Sequence, residues 1–332
     1  MKTLVTGADG FLGNNIVREL LQRGIEVRAF LQNGRTVQTL NQLNVEKVFG
    51  DLLNVHEVEQ AAQGCDYIIH TAANTTIWPS RSDIVCQVNY NGTLNVIKAA
   101  LKAKVKRLVA IGTANSFGNG TKQAPGSEES PFKAGKYGLD YIDSKLKAQN
   151  AILHHVKHHG LDAVIVNPTF MLGPYDTKPS SGALLLALHQ QKVPGYTASG
   201  RNFIHVKDVA VTACNALTMG RNGECYIMAN ENLSYKEFNL LVSKVLDVKP
   251  PRFFIPKPFI LLYGLLSQAF SYISGKPPAI SYAVARISID TNYYTATKAV
   301  EELKLPQTPI KIAVQEAFEW FKENGYLDRE NG

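Results

Sequence analysis

Tyr141 and Lys145 stand four residues apart in Tyr141-Ile-Asp-Ser-Lys145, so they share one face of any helix that carries them. A phenol, with its unperturbed pKa of about 10, is a poor acid or base at neutral pH. An ammonium one turn away favours the phenolate and brings the group toward working range. That pairing moves a proton to or from an oxygen. A second hydroxyl, Thr113, follows the apolar run Arg107–Ile111 in Gly112-Thr113-Ala114, where it can hydrogen-bond a carbonyl oxygen while Tyr141 donates or accepts the proton. Taken alone, the Tyr141/Lys145 pair fits a solvated helix face better.

What separates the two readings is the start of the chain, Met1-Lys-Thr-Leu-Val-Thr-Gly-Ala-Asp-Gly-Phe-Leu-Gly13. Lys2 to Val5 reads as a short buried strand, and a helix follows through Asn14, Ile16, Val17, Leu20 and Leu21 to a stop at Gly24. Between them, Gly7 allows a tight turn, Gly10 lets the backbone approach a pyrophosphate, and Gly13 lets helix and strand pack closely. The N–H groups and the positive dipole end of the helix favour an anion. The spacing predicts a dinucleotide held at Gly7, Gly10, Phe11, Leu12 and Gly13.

The elements that position these groups follow in order. Ile25 to Leu31 is a second strand, whose end faces the adenine ribose in such folds. No carboxylate stands among Leu31, Gln32 and Asn33, while Arg28 or Arg35 can meet a 2′-phosphate. We therefore expect NADP(H), with NAD(H) as the alternative, and Gln32 and Arg35 among the contacts. Val45 to Phe49 is a third strand leading to Asp51 and Leu52; Asp51 can accept from the adenine amino group or simply cap a helix. Tyr67 to Ala73 is a fourth, ending in Thr71, Ala72 and Ala73, small enough to let a cofactor pass, with His70 packed inside. Asn89 to Ala100 is helical, with Asn89 toward the sheet, and Arg107–Ile111 is the fifth strand. Its carboxyl end is where open α/β sheets hold ligands. A polar loop over 119–136 leads into the Tyr141 helix, and a sixth strand, Leu161 to Val166, runs into Asn167-Pro168. Strands alternating with helices predict an α/β, doubly wound parallel sheet over 1–172. A smaller substrate lobe occupies 173–332, and segments near 203–230 return to the first domain.

At 332 residues and 45% hydrophobic content the chain can bury a large core. It carries 35 basic and 28 acidic residues, a net +7, but no Lys/Arg run with interleaved aromatics, so nucleic acid is not an expected partner. Cys65, Cys86, Cys214 and Cys225 form no Cys-x-x-Cys pair and read as reduced thiols. With a strand expected from residue 2, no secretory leader is expected and the compartment is cytoplasmic. His154, His155, His158 and His159 have the helical spacing of metal ligands but no acidic partner among them; they read as a solvated helix end, and no metal is expected. The apolar segment 259–273, framed by Pro256, Pro258, Pro277 and Pro278, is at the short limit for a membrane span. Its first functional reading is a lid over an apolar substrate and its second a peripheral membrane contact, while an ordinary core helix of the smaller lobe fits it as well as the lid does.

Together, Thr6 to Gly13, Gly50-Asp51-Leu52, His70 to Ala73, Asn89 with Gly92-Thr93, Tyr141 to Lys145, and Asn167-Pro168 with Gly173-Pro174 resemble the extended short-chain dehydrogenase/reductases, in the family's order over nearly the whole chain. The resemblance implies a Rossmann fold, a nicotinamide cofactor contacted also by Asn89 and Pro168, and catalysis by Thr113, Tyr141 and Lys145, with Lys145 holding the nicotinamide ribose. It suggests a homodimer through the helices carrying Asn95 and Tyr141. Thr113 replaces the family's usual serine and keeps the hydroxyl, and Ala114-Asn115 stands where dehydratases carry an acidic pair. Asn167 to Pro174 and the apolar segment look most like the dihydroflavonol reductase and 3β-hydroxysteroid dehydrogenase branch. That implies a small apolar ketone or alcohol as substrate. A nucleotide-sugar epimerase with retained NAD and a non-catalytic cofactor sensor are the alternatives.

Overall fold

The structure, a computed structural model, describes residues 1–35 and 37–327. Its first half is a strand–helix alternation: β1 (Lys2–Thr6), α1 (Phe11–Gln22), β2 (Glu26–Gln32), β3 (Glu46–Gly50), α2 (Val55–Ala62), β4 (Tyr67–His70), α3 (Asp83–Cys86), α4 (Gly92–Ala103), β5 (Arg107–Ile111), α5 (Asp140–His159) and β6 (Ala163–Pro168). The second half continues with β7 (Phe170–Leu172), α6 (Gly182–His189), β8 (Gly195–Tyr196), β9 (Gly200–His205), α7 (Val206–Asn215), β10 (Cys225–Met228), β11 (Glu231–Ser234), α8 (Tyr235–Leu246), β12 (Phe253–Phe254), α9 (Lys257–Ser274), α10 (Tyr282–Ser288), α11 (Thr297–Leu303) and α12 (Ile310–Glu323).

Seven strands form one parallel sheet in the order β10-β6-β5-β4-β1-β2-β3. Every residue of β4, β6 and β10 is buried, as expected where helices cover both faces of a parallel sheet. On one face α1 packs against α7; on the other α2, α4 and α5 lie side by side. Strand order reverses between β1 and β4, and there the carboxyl ends of neighbouring strands part to leave a crevice. This is the doubly wound α/β fold read from the sequence.

A second apolar cluster lies outside the sheet, where α6, α8 and α12 enclose Phe203 and Phe238, stacked at 4.0 Å. The segment Phe203 to Val209 is not one returning strand. β9 ends at His205, whose ring caps α7 by accepting from the Lys207 N–H, and β9 pairs with β7 and β11 in a separate three-stranded sheet. The return to the main body is made by α7 and β10.

Candidate active site

The turn after β1 is built for close approach. Gly7 adopts φ +67°, a region costly for a residue with a side chain, and a Cβ there would lie 2.7 Å from the Ala72 Cα. A Cβ at Gly13 would sit 2.1 Å from the Gly7 carbonyl oxygen, so α1 rests directly on the turn. Gly10 is the N-cap of α1 with no side-chain cap bond, which leaves the first N–H groups of the helix facing the cleft. Thr71 closes the other side, its hydroxyl donating to the Thr6 and Gly7 carbonyls at 2.6 and 3.1 Å. These bonds also correct an expectation: β4 ends at His70 rather than Ala73, because Thr71 turns back onto β1.

His70 is buried with both ring nitrogens engaged, Nδ1 with Thr6 Oγ1 at 2.8 Å and Nε2 with Thr93 Oγ1 at 3.1 Å. Burial, with the Lys145 charge adding to it, pulls His70 down to about 3, so the ring is neutral. Thr93 in turn donates to the Asn89 carbonyl. Asn89 itself lies in a π turn between α3 and α4, and its amide donates to Ser144 Oγ and the Asn74 carbonyl, both at 3.0 Å. Ser144 donates to the Tyr141 carbonyl. A continuous set of buried hydrogen bonds thus joins the end of β1 to the first turns of α5. Satisfied networks of this kind fix one geometry.

α5 presents Tyr141 and Lys145 to the carboxyl end of β5, where Thr113 caps a short turn by accepting from the Asn115 N–H at 3.3 Å. Burial pushes the Tyr141 phenol up, and its hydrogen bond with Thr113 pulls the other way. Burial draws Lys145 down to about 8. The Lys145 ammonium donates to the Ile111 carbonyl, not to Tyr141, so the phenol here is held protonated rather than shifted toward the phenolate. Behind them Asn167 donates to the Thr113 carbonyl at 3.2 Å and to Gln149 Oε1 at 2.9 Å, tying β5, β6 and α5 together. Gln149 and Ser144, like the paired Thr6 and Thr93, carry no signal in the sequence that marks them as supports. Their role comes from which strand ends the fold brings together.

One cleft of about 1900 Å³ runs along the crevice. Of the expected contacts, Gly7, Gly10, Phe11, Leu12, Gly13, Gln32, Arg35, Asp51, Leu52, Thr71, Ala72, Ala73 and Pro168 line it together with Thr113, Tyr141 and Lys145. Asn89 stands behind the wall instead. Asp51 accepts from the Leu53 N–H at 2.9 Å, and Asn54, not Asp51, caps α2. Arg35 reaches the rim beside Gln32 Oε1 at 3.0 Å and Asp9 Oδ2 at 3.3 Å. Arg28 does not: its guanidinium donates to the Ala61 and Gln63 carbonyls and pairs with Glu46 at 2.9 Å. Four residues before Gln32, it lies roughly 13 Å back along the strand, toward the opposite end of the sheet.

The fit to a dinucleotide rests on the glycine cradle, which side chains at Gly7 and Gly13 would fill, together with the unpaired helix end at Gly10. The cleft is also lined by Phe170, Met171, Ile287, Tyr294 and Trp320, with Arg201 lying 4.4 Å above the Phe170 ring. None of these was singled out for the site, since they come from β7, β9, α10, α12 and the loop before α11. α9 is not a lid over this space: among the described residues none of its own lines the cleft, and it packs on α10, which supplies Ile287. The histidines at the end of α5 lie against one another, the His154 and His158 rings tilted with centroids 4.7 Å apart, and among the described residues no three His, Cys, Asp or Glu side chains are placed to hold a metal ion.

A family model described as the NAD dependent epimerase/dehydratase family matches residues 3–230. A protein of Synechocystis sp., provisionally named a dihydroflavonol 4-reductase, is 32% identical over 330 residues, 97% of this chain and 95% of its own. Sterol demethylase protein B of Methylococcus capsulatus is 30% identical over 333 residues, 98% of this chain and 100% of its own. Among solved structures, that of gox2253 superposes with a TM-score of 0.85 at 30% identity, covering 97% of this chain and 98% of its own. PA4631, a nucleoside-diphosphate-sugar epimerase from Pseudomonas aeruginosa, does so at 0.79 and 22% identity over 98% and 99%, a likeness of fold.

Proposed function

The chain belongs to the NAD dependent epimerase/dehydratase family, and from that premise we propose that it is an NADP(H)-dependent oxidoreductase that reduces a ketone, or oxidises a secondary alcohol, on an apolar flavonoid-, steroid- or lipid-like substrate. The observation that carries this reading is the convergence of Thr113, Tyr141 and Lys145 in a cleft whose far wall is Phe170, Met171, Ile287 and Tyr294. The names of the Synechocystis and Methylococcus relatives agree with a reduced or oxidised apolar substrate.

The residues lining the crevice would hold a nicotinamide cofactor, which when bound would supply or accept the hydride. The chain's own residues handle the oxygen. Thr113 and Tyr141 both direct hydroxyls at it; Tyr141, kept protonated by burial, donates the proton as negative charge develops. Lys145, one turn on, stabilises the tyrosinate left behind. Asn167 and Gln149 hold Thr113 and α5 in register, and the Asn89–Ser144 bond holds the first turn of α5 from the other side. The first-turn N–H groups of α1 would hold the cofactor's phosphates, and Arg35 at the rim would hold a 2′-phosphate.

Titration calorimetry with NADPH and NADH tests the cofactor reading. A charge-assisted contact to the 2′-phosphate is worth about 1.5–3 kcal/mol, so NADPH is expected to bind at least about tenfold tighter. Arg35→Ala removes that margin and leaves NADH affinity unchanged. NADH preference, or NAD retained through purification, supports the second reading, a nucleotide-sugar epimerase. Arg201, beside Phe170 in the cleft, is a cation that a sugar diphosphate could meet.

A further inference from the structure

α9 is an amphipathic helix turned inside out. Positions 264, 267, 268 and 271 share one side at helical spacing. That side faces α10: Gly264 and Ser271 are the buried residues of the helix, and a Cβ at Gly264 would lie 2.7 Å from that of Ala285. Ser267 Oγ accepts from the Ile280 N–H, and Gln268 Oε1 accepts from the Tyr282 N–H. The opposite side carries Phe259, Leu262, Leu266, Phe270 and Ile273, exposed by 52–85%. A helix on a protein surface in water shows the reverse order, apolar residues inward and polar outward. Just before α9 in the chain, β12 adds Phe253 at 75% exposure, and five large apolar side chains on one helix side are more than a scatter of single residues.

The charges carried by the segment itself have one sign, with Asp290 just beyond its end near Lys257. No Asp or Glu occurs between Asp247 and Asp290, while Lys249, Arg252, Lys257 and Lys276 are all exposed in that stretch. Two copies of the chain meeting through this face would bring these cations together with no carboxylate from the same segment to answer them. An anionic bilayer surface answers both features, taking the apolar side chains at the level of the acyl boundary and the ammonium and guanidinium groups at the headgroups. Among the described residues no helix is long and apolar enough to cross a membrane, so the mode is lying on the surface. We infer that α9, with β12, docks this protein onto anionic lipid membranes. α10 lies directly beneath α9 and lends Ile287 to the cleft, so the docked face and the apolar end of the cleft are separated by a single helix.

Vesicle flotation tests this with the full chain. The wild type is expected to float with vesicles of phosphatidylcholine plus phosphatidylglycerol, with the bound fraction falling at high salt. On phosphatidylcholine alone binding should be at least about tenfold weaker, since each cation near an anionic surface contributes separately. Leu266→Glu with Phe270→Glu should abolish flotation and leave the melting temperature and NADPH affinity unchanged, because both side chains point away from the fold. Lys257→Glu with Lys276→Glu should remove the phosphatidylglycerol dependence. The inference is overturned if the wild type remains unbound to both vesicle types. It is equally overturned if the wild type self-associates and the Leu266→Glu/Phe270→Glu variant sediments as a monomer, because a second copy then covers the face.

Discussion

Lys145 is buried, and its pKa of about 8 sits within reach of ordinary assay conditions. The charged form is the one that stabilises the tyrosinate, and Tyr141 is pushed above its ordinary range, so Lys145 titrates first as pH rises. Ketone reduction is therefore expected to be flat at neutral pH and to fall above about 8. In Lys145→Arg the guanidinium stays charged, so the fall should disappear while the maximal rate drops, the planar group being too large for the same buried position. A pH profile of kcat for both proteins checks this, and an unchanged alkaline limb in Lys145→Arg would remove Lys145 from the account. Tyr141, Lys145 and Thr113 were legible because each combines a functional group with a telling position, a helical spacing or the end of a strand. Their supports were not. Gln149, Ser144 and Thr93 are ordinary polar residues until the fold closes buried partners around them, and Arg28 read like Arg35 because residue type does not say which end of a strand a side chain occupies.

At the level of elements, the turn joining β1 to α1 is tightly built. In an exposed helix Gly→Ala gains about 1 kcal/mol from propensity. At Gly13 the added methyl meets backbone oxygen at 2.1 Å, which neither side can relieve without moving β1 or α1. Gly13→Ala is expected to lose roughly 1–3 kcal/mol of stability, as overpacked sites do, and to weaken cofactor binding with it. Thermal melting and NADPH titration check both; a higher melting temperature with unchanged affinity would contradict the geometry. Such glycines, and the apolar runs of β1, β5 and β6, carry their structure in local sequence. The partners of β7, β9 and β11 do not, because a short strand joins whichever edge the rest of the chain presents. α9 showed its composition plainly, and its inverted orientation became visible only once Gly264 was seen pressed against Ala285.

Across the whole molecule, the main sheet supplies one half of the account and the elements outside it the other. The sheet's crevice holds the cofactor-sized part of the cleft, and β7, α10 and α12 wall the apolar remainder. The parallel sheet was readable from alternating strands and helices. The substrate end was not, because its wall is assembled from five distant segments whose contacts are all non-local. The central claim is that this cleft transfers a hydride to an apolar ketone while Tyr141 supplies the proton. The most direct measurement follows NADPH oxidation by wild type and Tyr141→Phe against a panel of flavonoid, steroid and long-chain ketones, with NADPH affinity measured in parallel. The account predicts turnover by the wild type on at least one member, and a loss of roughly 10²–10⁴-fold in Tyr141→Phe with cofactor affinity retained. Full activity in Tyr141→Phe would contradict it.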